Sequence, residues 1–125
     1  MTTDSTGETL FVEFSNDGDA LVATLALPNI GQRESKIIAM AVQDALGTRK
    51  GGTNYLVIDM GSVTFMNSMG IGMLIDARSR AAGLKMKTVL SNVGDEMLKL
   101  LKMVRLDKVF SLCQNDKQLK KALKR

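Results

Sequence analysis

Residues 55–75 read YLVIDMGSVTFMNSMGIGMLI, and the order of chemistry along them decides the fold. Tyr55 to Met60 is a short, nearly continuous apolar run interrupted only by Asp59, the pattern of a central strand covered on both faces. Gly61 to Met66 makes a brief loop. Met69, Ile71, Gly72, Met73, Leu74 and Ile75 then open a helix that is predicted to reach about Ala82, with Gly83 as its C′ stop. A strand feeding straight into a helix puts Asn67 and Ser68 at the carboxyl end of a sheet, where α/β proteins meet ligands and partners. The unpaired N–H groups and partial positive charge of a helix start lie there, so a phosphate on Ser68 is electrostatically favoured.

Outward from this stretch the same alternation continues. Leu10–Phe14 and Ala20–Leu27 flank Ser15, Asn16, Asp17 and Gly18, which predicts an opening hairpin. Pro28, Asn29 and Gly31 end the second run. Ser35–Leu46 places Ile37, Ile38, Ala41, Val42 and Ala45 at helical spacing, and Gly47–Asn54 is an exposed connection. Lys87–Leu90 reads as another strand, Asp95 starts a helix with Met97, Leu98, Leu101 and Val104 on its apolar face, and Val109–Leu112 forms a last strand. Gln114–Leu123 completes the chain as a basic helix that docks through Leu119, Ala122 and Leu123. Strands alternating with helices in this way specify an α/β class: one mixed sheet of four to five strands with helices packed on it.

The composition sets bounds on function. At 125 residues the chain suits one domain of the common size of about 100 to 150 residues, and 45% apolar with 24% charged residues is ordinary globular usage. No apolar run approaches the ~20 residues of a membrane span, and MTTDSTGETL has no secretory-signal pattern, so a cytoplasmic address is expected. The chain has no histidine and a single cysteine, Cys113, which removes the commonest general base and any recognisable soft-metal cluster. No cofactor is expected, and an enzyme is disfavoured. The net charge of +4 is concentrated in Lys117, Lys120, Lys121, Lys124 and Arg125, and one Tyr with four Phe gives little for base stacking, so nucleic acid is not an expected partner. Gly61 and Gly70-Ile71-Gly72 lack the Gly-Lys-Ser/Thr ending of a phosphate loop.

Val57-Ile58-Asp59-Met60 followed by Val63-Thr64-Phe65-Met66-Asn67-Ser68-Met69-Gly70-Ile71-Gly72 resembles the strand, loop and Asp-Ser-x-Gly-Leu-Gly helix start of STAS domains, the fold of bacterial anti-sigma factor antagonists and of the cytoplasmic tails of sulfate transporters. The resemblance spans about residues 10 to 124 and implies a STAS-like domain over residues 10–125 behind a flexible N-terminus, residues 1–9. It further implies that Ser68 is a phosphoacceptor for a partner that is both anti-sigma factor and serine kinase. It likewise implies a phosphatase that reverses the modification, in a partner-switching pathway that regulates transcription. Asn67, Ser68, Met69, Gly70 and Gly72 are then the partner-binding residues, with Met66 and Met73 nearby. No membrane insertion is implied, and the oligomeric state, self-association included, is left open.

Two departures from the family pattern bear on function. Asn67 stands where antagonists carry aspartate, which keeps a capping oxygen and loses a charge. Leu25-Ala26-Leu27-Pro28 replaces a Gly-x-Leu-Asp-like strand end. From the residues alone, Ser68 reads first as a helix N-cap and Asn67 likewise as a cap candidate, Gly70 and Gly72 as packing positions, and Asp59 and Asp76 as structural or surface carboxylates. The competing function is a STAS scaffold or transporter accessory subunit whose Ser68 is never phosphorylated.

Overall fold

The computed structural model describes residues 11–125; the expected flexible segment 1–9 and the first residue of the opening strand, Leu10, lie outside them. β1 (Val12–Asp17) and β2 (Ala20–Leu25) form the expected antiparallel hairpin. Gly18, at φ 60°, provides the positive-φ corner of the two-residue turn that right-handed strand twist favours. The second strand stops at Leu25 rather than Leu27, because Pro28 begins a separate path. Asn29–Ile30 (β3) leads into helix α1 (Gln32–Gly47), and β4 (Tyr55–Asp59) follows. A two-residue strand, β5 (Phe65–Met66), precedes α2 (Ser68–Gly83). β6 (Lys87–Ser91), α3 (Asp95–Met103), a single 3-10 turn (Leu106–Lys108), β7 (Ser111–Leu112) and α4 (Asp116–Ala122) complete the order.

The main sheet is five-stranded in the order β1-β2-β4-β6-β7, with only the first pair antiparallel. β4 is central, and period-two alternation sends its side chains to two different cores. Leu56 and Ile58 join Leu21, Ala23, Leu25 and Leu90 beneath α1, α2 and α3, which contribute Ile38, Val42, Met73, Leu74, Met97 and Leu101. Val57 joins Ala20, Val89 and Cys113 on the opposite face, closed by Leu123 with Leu119 and Ala122 of α4. Both faces are covered, so the run has no room for polar alternation, and each large aliphatic side chain so buried contributes about 1.5–3 kcal/mol.

β3 and β5 were not expected from the sequence. They pair in parallel, Asn29 with Phe65 and Ile30 with Met66, as a small second ladder beside the main sheet. Further boundaries differ. β1 runs on to Asp17, so Ser15, Asn16 and Asp17 lie in the strand rather than in the turn, and the last strand begins at Ser111 rather than Val109, after a 3-10 turn. Gly83 is the last helical residue of α2 rather than its C′ stop; the left-handed position falls on Lys85 (φ 64°), with Lys85 N donating to Ala82 O and Met86 N to Ala81 O. This is a Schellman cap whose C″ residue, Met86, is buried. Val104 at the end of α3 is exposed, because the helix turns away at Arg105 (φ 62°).

Two glycines of α2 sit in opposite environments. A Cβ on Gly70 would lie 2.9 Å from the Ile30 carbonyl oxygen and 3.0 Å from Met66 Cβ, whereas one on Gly72 would meet nothing within 4 Å. Gly70→Ala is therefore expected to destabilise by about 1–3 kcal/mol through overpacking against backbone. Gly72→Ala should stabilise by about 0.5–1 kcal/mol through helix propensity. Urea midpoints of the two variants check the opposite signs. In hydrogen exchange, Leu56, Val57 and Ile58 are expected among the slowest amides, since a central strand opens only close to global unfolding.

Candidate functional site

The approach to Ser68 is fixed before the helix begins. Asp59 Oδ1 accepts hydrogen bonds from Gly61 N (2.9 Å) and Asn92 Nδ2 (3.1 Å), which ties the loop after β4 to the loop after β6. Met60 N donates to Ser91 O at 2.8 Å, and the Val63 and Met66 side chains are buried. Thr64 N and Phe65 N both donate to Pro28 O, at 2.8 and 3.1 Å, and Asn67 N donates to Ile30 O at 3.2 Å. These bonds seat the start of α2 against the start of α1, at the carboxyl ends of the parallel strands.

Asn67 is the N-cap. Its backbone is extended (φ −84°, ψ −175°), and its Oδ1 accepts from Met69 N at 3.0 Å and Gly70 N at 3.1 Å. The reading of Ser68 as the cap is thereby corrected: Ser68 is the first helical residue, where its own φ and ψ already belong to the helix and its hydroxyl cannot reach back to the N–H groups that a cap serves. The Ser68 side chain is exposed and, among the described residues, its Oγ has no hydrogen-bond partner.

Met69 (44% exposed) and Phe65 (53% exposed) flank Ser68, and Gly72 is exposed one turn further on. Phe65 was missed by sequence reasoning; its signal lay in the alternation of Phe65 with buried Met66 in a strand too short to recognise. Met66 and Met73 are core residues. Gly70 is buried against Ile30 O and Met66, so its lack of a side chain serves the internal contact between α2 and β3.

The remaining sequence candidates do not converge on this surface. Asp76 pairs with Arg80 along α2 (2.9 Å), while Asp59 holds the loop described above, so the two carboxylates form no pair. Cys113 is buried, and burial pushes its thiol pKa up, the opposite of what a reactive thiol requires. Arg125 is not simply solvated: its guanidinium donates to Asp17 Oδ2 (3.0 Å), Asp17 O (2.6 Å) and Asp19 Oδ1 (3.3 Å), fastening the end of the chain to the β1–β2 turn. Asp19 is held below its ordinary carboxyl pKa by hydrogen bonds from Asn54 and Arg125. No helix among the described residues is long and apolar enough to cross a membrane.

A mixed sheet with helices on both faces, and a serine-bearing helix start at the carboxyl ends of its parallel strands, defines a small α/β domain. Residues 29–120 match the family model of the STAS domain, and the chain belongs to that family. Among solved structures it is similar to a STAS-domain anti-sigma factor antagonist protein from Planctomyces limnophilus, with a TM-score of 0.78 at 16% identity over 91% of this chain and 98% of that one. An anti-sigma factor antagonist from Mycobacterium paratuberculosis gives 0.76 at 18% identity, covering 91% and 93%. A sulfate transporter family protein from Wolinella succinogenes gives 0.68 at 11% identity, covering 83% and 84%. At these identities the likeness is one of fold. No curated protein matches the chain.

The division of labour at the helix start has a thermodynamic signature. Asn67→Ala is expected to cost about 1 kcal/mol and at most about 2, the loss of a cap that serves two N–H groups. Ser68→Ala, which removes a solvent-facing hydroxyl, should stay within about 0.5 kcal/mol of the parent. Denaturant midpoints of the pair measure the difference, and a larger loss at Ser68 than at Asn67 would reverse the assignment.

Proposed function

We propose that this chain is a regulatory docking domain of the anti-sigma factor antagonist type, switched by phosphorylation of Ser68. The observation that carries the reading is the separation of two jobs between neighbouring residues. Asn67 holds the helix start and Ser68 is exposed, with no hydrogen-bond partner for its Oγ among the described residues, so it can be modified without dismantling α2. A partner that is both anti-sigma factor and kinase would transfer the γ-phosphoryl group of ATP to Ser68 Oγ, with the hydroxyl proton lost and ADP released. Hydrolysis by a phosphatase would restore the hydroxyl.

The modification acts on the surface rather than on the fold. A phosphoserine carries about −1.5 to −2 charge at neutral pH. Next to exposed Phe65 and Met69, that charge must be desolvated for a partner to cover the apolar patch, and binding weakens. The unphosphorylated form would dock the anti-sigma factor and free the sigma factor. This chain's own residues bind and are modified; the chemistry belongs to the partners.

A second reading, an unswitched STAS scaffold or transporter accessory subunit, is favoured by one residue. Asn67 stands where antagonists carry an acid, and a kinase that requires the carboxylate would leave Ser68 alone. Binding measurements separate the two. For a switch, Ser68→Asp is expected to weaken docking to the cognate kinase at least about tenfold, equivalent to ~1.4 kcal/mol, while Ser68→Ala binds like the parent and escapes regulation. Equal affinity of all three proteins by calorimetry, with no phosphate on Ser68 in protein recovered from its native cell, would leave the scaffold. A kinase that modifies only Asn67→Asp would show that the acid is what the switch lacks.

A further inference from the structure

At the end of the sheet opposite Ser68, the second half of α2, the start of β6 and the segment from the 3-10 turn into β7 enclose a cavity of about 240 Å³. Arg78 lines it from α2 and Lys108 from the turn, Lys87 is part of the lining where β6 begins, and Ser111 adds a hydroxyl-bearing residue; among the described residues no carboxylate lines it. Among the described residues none of the three cations takes part in a salt bridge, although Arg80, on the same helix, does. Like charges gathered around a concavity without a counter-charge repel one another, and an anion placed among them relieves that repulsion.

Thr88 supplies an independent observation. It also lines the cavity, and its side chain shares a sheet face with Leu90, the face on which α2 and the cavity lie. Thr88 is only 5% exposed, and its Oγ1 is the buried side-chain polar atom without a hydrogen-bond partner among the described residues. Buried hydroxyls are nearly always paired, and a valine would fill the same space without the penalty. An acceptor oxygen brought into the cavity would give this donor the partner it lacks.

We infer that this cavity is a phosphoryl-binding site for a small phosphorylated molecule, with Arg78 and Lys108 as its charged walls and Thr88 at its floor. The space of about 240 Å³ has room for a phosphate group with a short organic body. Two cations from opposite walls match a dianion better than a single carboxylate, and a guanidinium can bind two phosphate oxygens at once. Arg78 lies ten residues along α2 from Ser68, about 15 Å at 1.5 Å per residue, so occupancy here and modification there are separable events.

The test is a two-dimensional NMR titration of the full chain, in phosphate-free buffer at constant ionic strength, with inorganic phosphate and with glycerol 3-phosphate. Saturable shifts at Thr88, Phe110, Ser111 and Arg78 are expected with at least one of the two probes. Tighter binding of glycerol 3-phosphate identifies a monoester as the ligand, and tighter binding of phosphate identifies the free ion. Arg78→Gln and Lys108→Gln, both exposed and therefore compatible with folding, should each weaken binding about tenfold. Thr88→Val should fold at least as stably as the parent and bind more weakly. The inference is overturned if neither probe gives saturable shifts, if the shifts centre on the lysines of α4, or if the two charge variants bind as the parent does.

Discussion

Four residues of parallel pairing, Asn29–Ile30 against Phe65–Met66, hold the two long helices in register. The main sheet alone does not do this, because each helix is joined to it through an irregular connection. Ile30 O accepts from Asn67 N and lies against Gly70, so the last residue of β3 fixes both the N-cap of α2 and its first buried position. On the other side Gly31 N donates to Glu34 Oε1 (3.0 Å), and α1 starts from the same point. Burial of Ile38, Val42, Met73 and Leu74 follows only if both helices leave this corner at the right angle. The exposed surface around Ser68 is the outer side of the same corner, so the rigidity of the candidate site is inherited from the core.

Most of the architecture was legible because periodicity is a physical consequence of burial. The unbroken apolar run at Leu56, Val57 and Ile58 could be recognised as central because both its faces are covered, and the spacing of Met73, Leu74, Ala77 and Ala81 because only one face of α2 is. β3 and β5 escaped because a two-residue strand carries no period and is held by long-range partners absent from its own sequence. Helix ends were blurred for a different reason. Gly83 is intrinsically the better left-handed residue, yet the buried contact of Met86 sets where the Schellman turn falls, and Lys85 accepts the strained backbone.

The start of α2 was legible to within one residue. Asn67 and Ser68 are both good N-caps by type, and nothing local distinguishes them. The choice is made by the bond from Asn67 N to Ile30 O, which holds Asn67 extended and makes Ser68 the first helical residue. Phe65 becomes visible as a surface residue only once β5 is known to turn Met66 inward. The excess of positive charge was likewise read as a single basic helix. In the folded chain Arg125 is committed to Asp17 and Asp19, while Arg78 and Lys108, distant in sequence, meet around one cavity.

The exchange of an acid for Asn67 changes electrostatics without changing geometry. An aspartate here would cap the same two N–H groups and gain about 0.3–1 kcal/mol from the helix dipole. It would also place a carboxylate on the residue adjoining the Ser68 hydroxyl. A phosphate added to Ser68 would then face like charge from its neighbour, and the two anions would compete for the same positive helix end. With the neutral carboxamide of Asn67 the helix forgoes that dipole gain, and a phosphate would have the field of the N-terminus to itself. The substitution therefore lowers the electrostatic cost of the modified state of α2, even as it removes a charge that a kinase could recognise. Under the proposed switch, stability of a phosphorylated form and recognition of the unphosphorylated one would make opposite demands on a single side chain.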